Sequence, residues 1–181
     1  MHLALRANLI SNIISAKRRI GYDLQRSKEG HSLFIKERIA HKHHHVLDVF
    51  VLFAEPLGFS QTEVVWNLPV SEQDHQWAKE QWPEGKPCLL ISPCSSHTLR
   101  NWSAERYAAV AKHAQAKGWQ VVICGGRSAL EREMGDAILN QMETPAIDLI
   151  GKDTLKQLLA LLARADLVLS PDSGPIQMAN A

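Results

Sequence analysis

The sequence predicts an α/β protein built on a Rossmann-like parallel sheet. Two observations carry that expectation. From residue 88 onward, short apolar runs alternate with amphipathic stretches of helical period, the pattern of βαβ units. The loops that follow the first, second and fourth runs are rich in Gly, Ser and charge, as a ligand crevice at the carboxyl ends of parallel strands requires.

Taken in order, Cys88 to Ser92 (CLLIS) is an apolar run suited to a buried strand, entered after Pro87 and left at Pro93. A polar loop from Cys94 to Trp102 leads to a helix N-capped at Ser103. Tyr107, Val110, Ala111 and Ala114 recur there at helical spacing, and Gly118 is placed to stop the helix. Trp119 to Cys124 is a second strand, closed by Gly125 and Gly126. A helix from Ser128 to about Met142 follows, opening on the capping box Ser128–Glu131. Ala146 to Ile150 is a third strand. The box Thr154–Gln157 then introduces Leu155, Leu158, Leu159 and Leu162 on one helical face. Asp166 to Ser170 is a fourth strand, broken at Pro171, with a last helix opening after Asp172-Ser173-Gly174-Pro175. The candidate site therefore lies in loops 93–102, 125–128, 151–153 and 171–175.

The first 87 residues are less regular. Ile20 to Tyr22 suggests a short strand end, and residues 45–57 and 71–82 read as helical. Pro69, Pro83, Gly85 and Pro87 suggest a linker over 58–87, between a first segment, 1–57, and a Rossmann-like domain, 88–181. No internal repeat or low-complexity tract occurs apart from the histidines at 41–45.

Composition excludes several classes. The 181 residues carry 20 Lys/Arg against 19 Asp/Glu, so no global excess attracts nucleic acid. No apolar run approaches the ~18 residues needed to span a bilayer. The three cysteines, Cys88, Cys94 and Cys124, form no CxxC pair and fit a reducing compartment. Arg6, Asn8 and Asn12 interrupt the apolar start, and no small-x-small cleavage site follows, so the reading is cytoplasmic. Charge is uneven: residues 1–60 hold nine Lys/Arg against five Asp/Glu, a surplus of four, and the remainder eleven against fourteen. This basic third is either a solvated surface or one that faces an anionic partner such as a phosphorylated lipid headgroup.

Among residues that could carry chemistry, His41, His43, His44 and His45 do not make a metal set. Only His41 and His45 have helical spacing, and no carboxylate or cysteine completes them, so they read as a solvated helix entrance. Gly125-Gly126-Arg127 is a tight strand-to-helix turn able to hold phosphate, without being G-x-G-x-x-G. Ser95-Ser96-His97 lacks a nucleophile-elbow context. Asp172-Ser173-Gly174-Pro175 is the most informative group. Ser173 can cap, Gly174 allows close approach, and Asp172 either accepts hydrogen bonds from sugar hydroxyls or serves only as a helix cap.

Four segments, in order, resemble glycosyltransferase family nine, the lipopolysaccharide heptosyltransferases. Ser92 to Tyr107 (SPCSSHTLRNWSAERY) resembles a small-residue loop followed by a basic residue, tryptophan and a helix. Val121 to Glu131 is similar to the next strand and turn, Leu149 to Leu158 (LIGKDTLKQL) to the family's G-K segment, and Ser170 to Ala179 (SPDSGPIQMA) to its D-S/T-G-P helix start. More loosely, Leu5 to Ala7, Ala16 to Asp23 and His45 to Asp48 resemble the later part of the family's first domain.

The resemblance implies a partial GT-B-type enzyme, the end of one Rossmann-like domain and most of a donor-binding second, truncated at both ends. It implies transfer of heptose, with inversion, from ADP-heptose or a related nucleotide sugar to the lipopolysaccharide core and lipid A acceptor. That reaction belongs to the cytoplasmic face of the inner membrane, with possible peripheral contact, no tightly bound metal and no cofactor. By resemblance Arg100, where the family commonly has lysine, contacts the diphosphate. Asp172 binds sugar hydroxyls, Ser173 and Gly174 offer amides, and Ser95, Ser96, Gly125 and Gly126 complete the substrate-binding set. Glu131 matches an acidic residue assigned to ribose or base, with its capping box as the rival role. Gln177 stands where histidine is expected, and the Gly-rich loop bearing the family's catalytic carboxylate has no counterpart. The alternative is a non-catalytic nucleotide or nucleotide-sugar binding fragment.

Overall fold

The computed structural model describes residues 5–41, 46–59 and 66–181, and the chain divides into two compact units, Met1–Val65 and Trp66–Ala181. Among the described residues no helix is long and apolar enough to cross a membrane.

In the first unit, α1 (Leu5–Ile13) precedes a parallel pair of two-residue strands, β1 (Ile20–Gly21) and β2 (Glu37–Arg38), with the short α2 (His31–Phe34) between them. Then come α3 (Val46–Val51) and a 3-10 turn, Glu55–Leu57. The inward side of α1 is polar: Asn8 is buried and its amide oxygen lies 2.8 Å from His31 Nδ1, while His31 Nε2 accepts the Tyr22 amide at 3.3 Å. His31 Nδ1 therefore carries the proton and donates to Asn8. Burial, then the charge of Arg38, lowers the His31 pKa, so the ring stays neutral. Leu5, Leu9, Ile10, Ile13 and Ile14 face solvent. Of the histidines at 41–45, His41 bonds Asp23 Oδ1 through Nδ1 at 3.0 Å, and the other three lie outside the described residues. Among the described residues no group of three His, Cys, Asp or Glu could hold a metal.

The second unit begins with α4 (Glu72–Gln81), inside the stretch expected to be a linker. It is opened by a Ser71–Asp74 capping box, and its Ala78, with Trp82 just beyond it, joins the core. A four-stranded parallel sheet follows: β3 (Cys88–Ile91), β4 (Gln120–Gly125), β5 (Ile147–Ile150) and β6 (Leu167–Leu169), ordered β5-β4-β3-β6. The crossovers are α5 (Ala104–Ala116), α6 (Ala129–Leu139) and α7 (Leu155–Arg164), and α8 (Gly174–Ala179) ends the chain. Strand alternation divides the core in two. Cys88, Leu90, Val122, Cys124 and Leu149 pack with Ala160 and Leu161 of α7, while Leu89, Ile91, Val121 and Ile123 pack with Tyr107, Ala108 and Ala111 of α5 and Ile138 of α6.

Local chemistry sets the ends of these elements. Gly118 sits at φ +83°, where α5 must turn back into β4, a conformation open to Gly at little cost. Ser128 and Thr154 close their capping boxes with Glu131 and Gln157. Ser103 holds the N-cap position of α5 without a side-chain bond to the helix amides. Burial, with help from Asp166, pushes the Cys88 thiol up to about 12, and burial does the same for Cys124, so both stay protonated.

Candidate functional site

In the strand order β5-β4-β3-β6 the chain reverses its direction of growth at β3, so the switch point lies between β3 and β6. The loops leaving those two strands form one wall each of a cleft of about 480 Å³ lined by Cys94, Ser95, Ser96, Ser128, Leu130, Glu131 and residues 172–175. A depression of about 520 Å³ at the opposite edge, among Lys86, Lys112, Trp119 and Glu143, lies at the amino ends of the strands, away from the edge where parallel sheets take ligands.

From β3, the chain passes through Ser95, which is buried. Its amide donates to Asn101 Oδ1 at 2.8 Å, and its hydroxyl accepts the His97 amide at 3.1 Å. Ser95 thus ties the loop to itself, while Ser96 is exposed to the cleft. The loop ends in a 3-10 turn, Thr98–Arg100, that brings Arg100 across to the β6 side. Arg100 NH1 donates to Asp172 Oδ2 at 3.1 Å. The two residues are 72 apart in the chain, and their side chains are 51% and 68% exposed. From α8, Gln177 Nε2 donates to Asp172 Oδ1 at 3.3 Å.

The turn after β4 is organised by one carboxylate. Glu131 Oε1 accepts the Gly126 amide at 2.6 Å, and Oε2 accepts the Ser128 hydroxyl and amide at 2.5 and 3.4 Å. A Cβ on Gly126 would lie 2.8 Å from Oε2, which is why the bare glycine suits this close approach. The Gly126 and Ser128 amides are therefore occupied by Glu131 itself, and Oε1 keeps a lone pair for a second donor. Gly125 ends β4 behind the cleft. Arg127 Nε donates to the Gly151 carbonyl at 3.2 Å, joining the turns after β4 and β5.

Ser173 stands at the N-cap position of α8 but makes no side-chain cap. Its hydroxyl pairs with Ser170 Oγ at 2.8 Å. Gly174 and Pro175 form the first turn and line the cleft.

Two features escaped sequence reasoning. Cys94 lines the cleft, and burial, then the charge of Glu131, pushes its thiol up to about 11, so it is no nucleophile at neutral pH. Asp153, after β5, is half-buried, and burial first, with Glu131 adding and Arg127 opposing, raises it to about 6. No local signal marks it, because the shift comes first from burial, which only the fold creates.

The arrangement offers a cation, two carboxylates, hydroxyls and backbone donors around a half-open cleft, which suits a polar, phosphorylated ligand with hydroxyl groups. Comparison with known proteins agrees on the kinship. The model of glycosyltransferase family 9 (heptosyltransferase) matches residues 1–181. The lipopolysaccharide core heptosyltransferase OpsX of Haemophilus influenzae is 40% identical, over 99% of this chain and 52% of that protein. Lipopolysaccharide heptosyltransferase 3 of Escherichia coli K12 is 28% identical, over 76% of this chain and 41% of that protein. Among solved structures, a glycosyl transferase family 9 protein from Veillonella parvula superposes with a TM-score of 0.76 at 25% identity, over 98% of this chain and 52% of that one. The E. coli heptosyltransferase WaaC with ADP shares the fold, with a TM-score of 0.69 at 21% identity, over 99% of this chain and 56% of that one. The chain spans about half the length of the curated relatives it matches. From the four ordered motifs, the parallel sheet with its switch-point cleft, and a family match over its full extent, this chain belongs to glycosyltransferase family 9, the heptosyltransferase family.

Proposed function

We propose that the second unit is the donor-binding part of a heptosyltransferase, and that its cleft takes ADP-heptose or a related nucleotide sugar for transfer to the lipopolysaccharide core. The observation that carries this reading is the meeting of Glu131 and Asp172, from the loops after β4 and β6, in the lining of one cleft at the switch point, with Arg100 from the loop after β3 bonded to Asp172. The neighbour WaaC was solved with ADP and with ADP-2-deoxy-2-fluoro heptose, which supports the ligand class.

In the transfer, an acceptor hydroxyl attacks the anomeric carbon from the face opposite the diphosphate. The carbon–oxygen bond to the β-phosphate breaks, the centre inverts, ADP departs with the bonding pair, and the proton of the acceptor hydroxyl passes to solvent water. Negative charge grows on the departing phosphate, and Arg100 is the cation of this site able to offset it, through a fork suited to paired phosphate oxygens. Asp172 accepts from sugar hydroxyls, Oε1 of Glu131 accepts from a ribose hydroxyl, and the Ser173 and Gly174 amides, with Ser96, complete the shell. The basic first third is assigned to the phosphorylated acceptor, with the protein working at the cytoplasmic face of the inner membrane.

One observation favours a second reading, a nucleotide-sugar binding module without transfer. Both carboxylates lining the cleft are already engaged, Glu131 by its turn and Asp172 by Arg100 and Gln177, and neither is placed as an open general base. Calorimetric titration with ADP and ADP-heptose, followed by a transfer assay on heptose-deficient lipopolysaccharide, separates the two. Binding with transfer is the expected result. Binding without transfer leaves the module, and no binding of either ligand overturns both readings.

A further inference from the structure

We infer that Gln177 is the positioning residue for Asp172, holding the carboxylate in its sugar-binding orientation once Arg100 turns to the diphosphate; this rests on the reading of the cleft proposed above. Asp172 is gripped at both oxygens, Oδ2 by Arg100 at 3.1 Å and Oδ1 by Gln177 at 3.3 Å. The two grips differ in kind. Arg100 comes from a separate loop, the pair is exposed, and a diphosphate carries more charge than one carboxylate, so an arriving nucleotide draws the guanidinium away. Gln177 lies five residues on, in the helix that Asp172 introduces, and its amide bonds the Ser173 carbonyl at 3.4 Å. It travels with Asp172, so its bond survives the exchange.

The departure of Arg100 vacates Oδ2 for a sugar hydroxyl. Gln177, a neutral donor, keeps Oδ1 fixed without cancelling the carboxylate charge. Because an amide does not titrate, this orientation is independent of pH near neutrality. The ionisable groups facing Asp172 are Arg100 and, across the cleft, Glu131 and the Cys94 thiol, which stays protonated in that range. A histidine at 177 would make the orientation follow imidazole protonation.

Calorimetry on the full chain with ADP and with ADP-heptose tests this. Gln177→Leu is expected to weaken ADP-heptose about three- to tenfold while leaving ADP within twofold. Relative to the unaltered chain at each pH, so that titrations common to both cancel, Gln177→His is expected to recover the ADP-heptose affinity below about pH 6 and lose it as pH rises through the ordinary imidazole value of about 6.5. A merely structural role would lower both ligands together and give Gln177→His no pH profile, which overturns the inference. Unchanged ADP-heptose binding in Gln177→Leu also overturns it. If the unaltered chain fails to bind ADP, the underlying reading of the cleft falls, and this inference with it; retained ADP binding separates the two failures.

Discussion

The two units of the chain differ in the share of polar side chains that they bury. In the second, both faces of a parallel sheet are apolar and covered: Leu90, Ile91, Val121, Val122, Ile123 and Leu161 are fully buried, and polar groups gather at the carboxyl edge. In the first, Ile39 and Leu52 are buried beside the polar Asn8, Asp23 and His31; α1 turns Asn8 inward and leaves Leu9, Ile10 and Ile13 outside, and the polar members are joined by Asn8–His31, Tyr22–His31 and Asp23–Arg26 hydrogen bonds. Burial of apolar area is non-directional and tolerant, whereas a buried polar network holds only while every member is paired. The second unit is therefore expected to behave as a self-sufficient core that carries a site, and the first as a hydrogen-bonded framework sensitive to single polar losses.

The largest effect to sharpen this contrast is a core truncation. Ile123→Ala and Leu161→Ala are each expected to cost about 2–5 kcal/mol of second-unit stability. All five tryptophans, Trp66, Trp77, Trp82, Trp102 and Trp119, lie in that unit, so urea unfolding followed by tryptophan fluorescence reads it selectively. A loss below about 1 kcal/mol would break the comparison from this side.

Next comes Asp23. The residue is 7% exposed, and its carboxylate accepts from the Arg26 guanidinium, the Gln25 and Arg26 amides and the His41 ring. Burial alone would raise its pKa, but these donors, Arg26 foremost, bring it down to about 2. A carboxylate lowered on folding stabilises above its ordinary value of about 4, and that contribution is lost as pH falls through about 2. Asp23→Asn is expected to cost the first unit about 1.5–3 kcal/mol at pH 7 and to flatten its acid sensitivity between about pH 4 and 2, read by amide exchange over residues 5–41.

Asp153 has the opposite sign. Raised by burial to about 6, it keeps its proton in the folded state over a range where the unfolded chain has lost it. Stability therefore falls as pH rises from about 4 through about 6, and the cost is fully present above that. Asp153→Asn is expected to stabilise the second unit on the order of 1 kcal/mol at pH 7.5, after allowance for solvent screening, and to be neutral at about pH 3.5. The smallest effect belongs to the outward face of α1. Ile13→Ser, at 84% exposure, is expected to change stability by less than about 0.5 kcal/mol in thermal melts followed by circular dichroism.

How far these features were legible in the sequence follows from their range. Apolar runs such as CLLIS, the glycine stop at 118, and the boxes Ser128–Glu131 and Thr154–Gln157 are written within a few residues, and the structure realises them. The helix α1 was obscured because its polar residues face inward, against the usual amphipathic pattern, and Asn8 is satisfied by His31, 23 residues away. Of the two-residue strands, β1 falls where Ile20 to Tyr22 suggested a strand end, whereas β2, Glu37–Arg38, is too short and polar to show a period. At the site, the loops were legible from the strand-end rule and the candidate residues from motif resemblance. The Arg100–Asp172–Gln177 clasp, the self-bonded Ser95 and the raised Asp153 depend on loops that only the fold brings together.

The most direct test of the central claim, that one cleft of the second unit binds the nucleotide sugar, is hydrogen–deuterium exchange of the full chain with and without saturating ADP. Protection is expected over residues 93–102, 126–131 and 171–177, with residues 5–41 and 46–59 unchanged. Protection confined to the amino-terminal edge around Lys86, Lys112 and Glu143, or none in the three cleft loops, would contradict it.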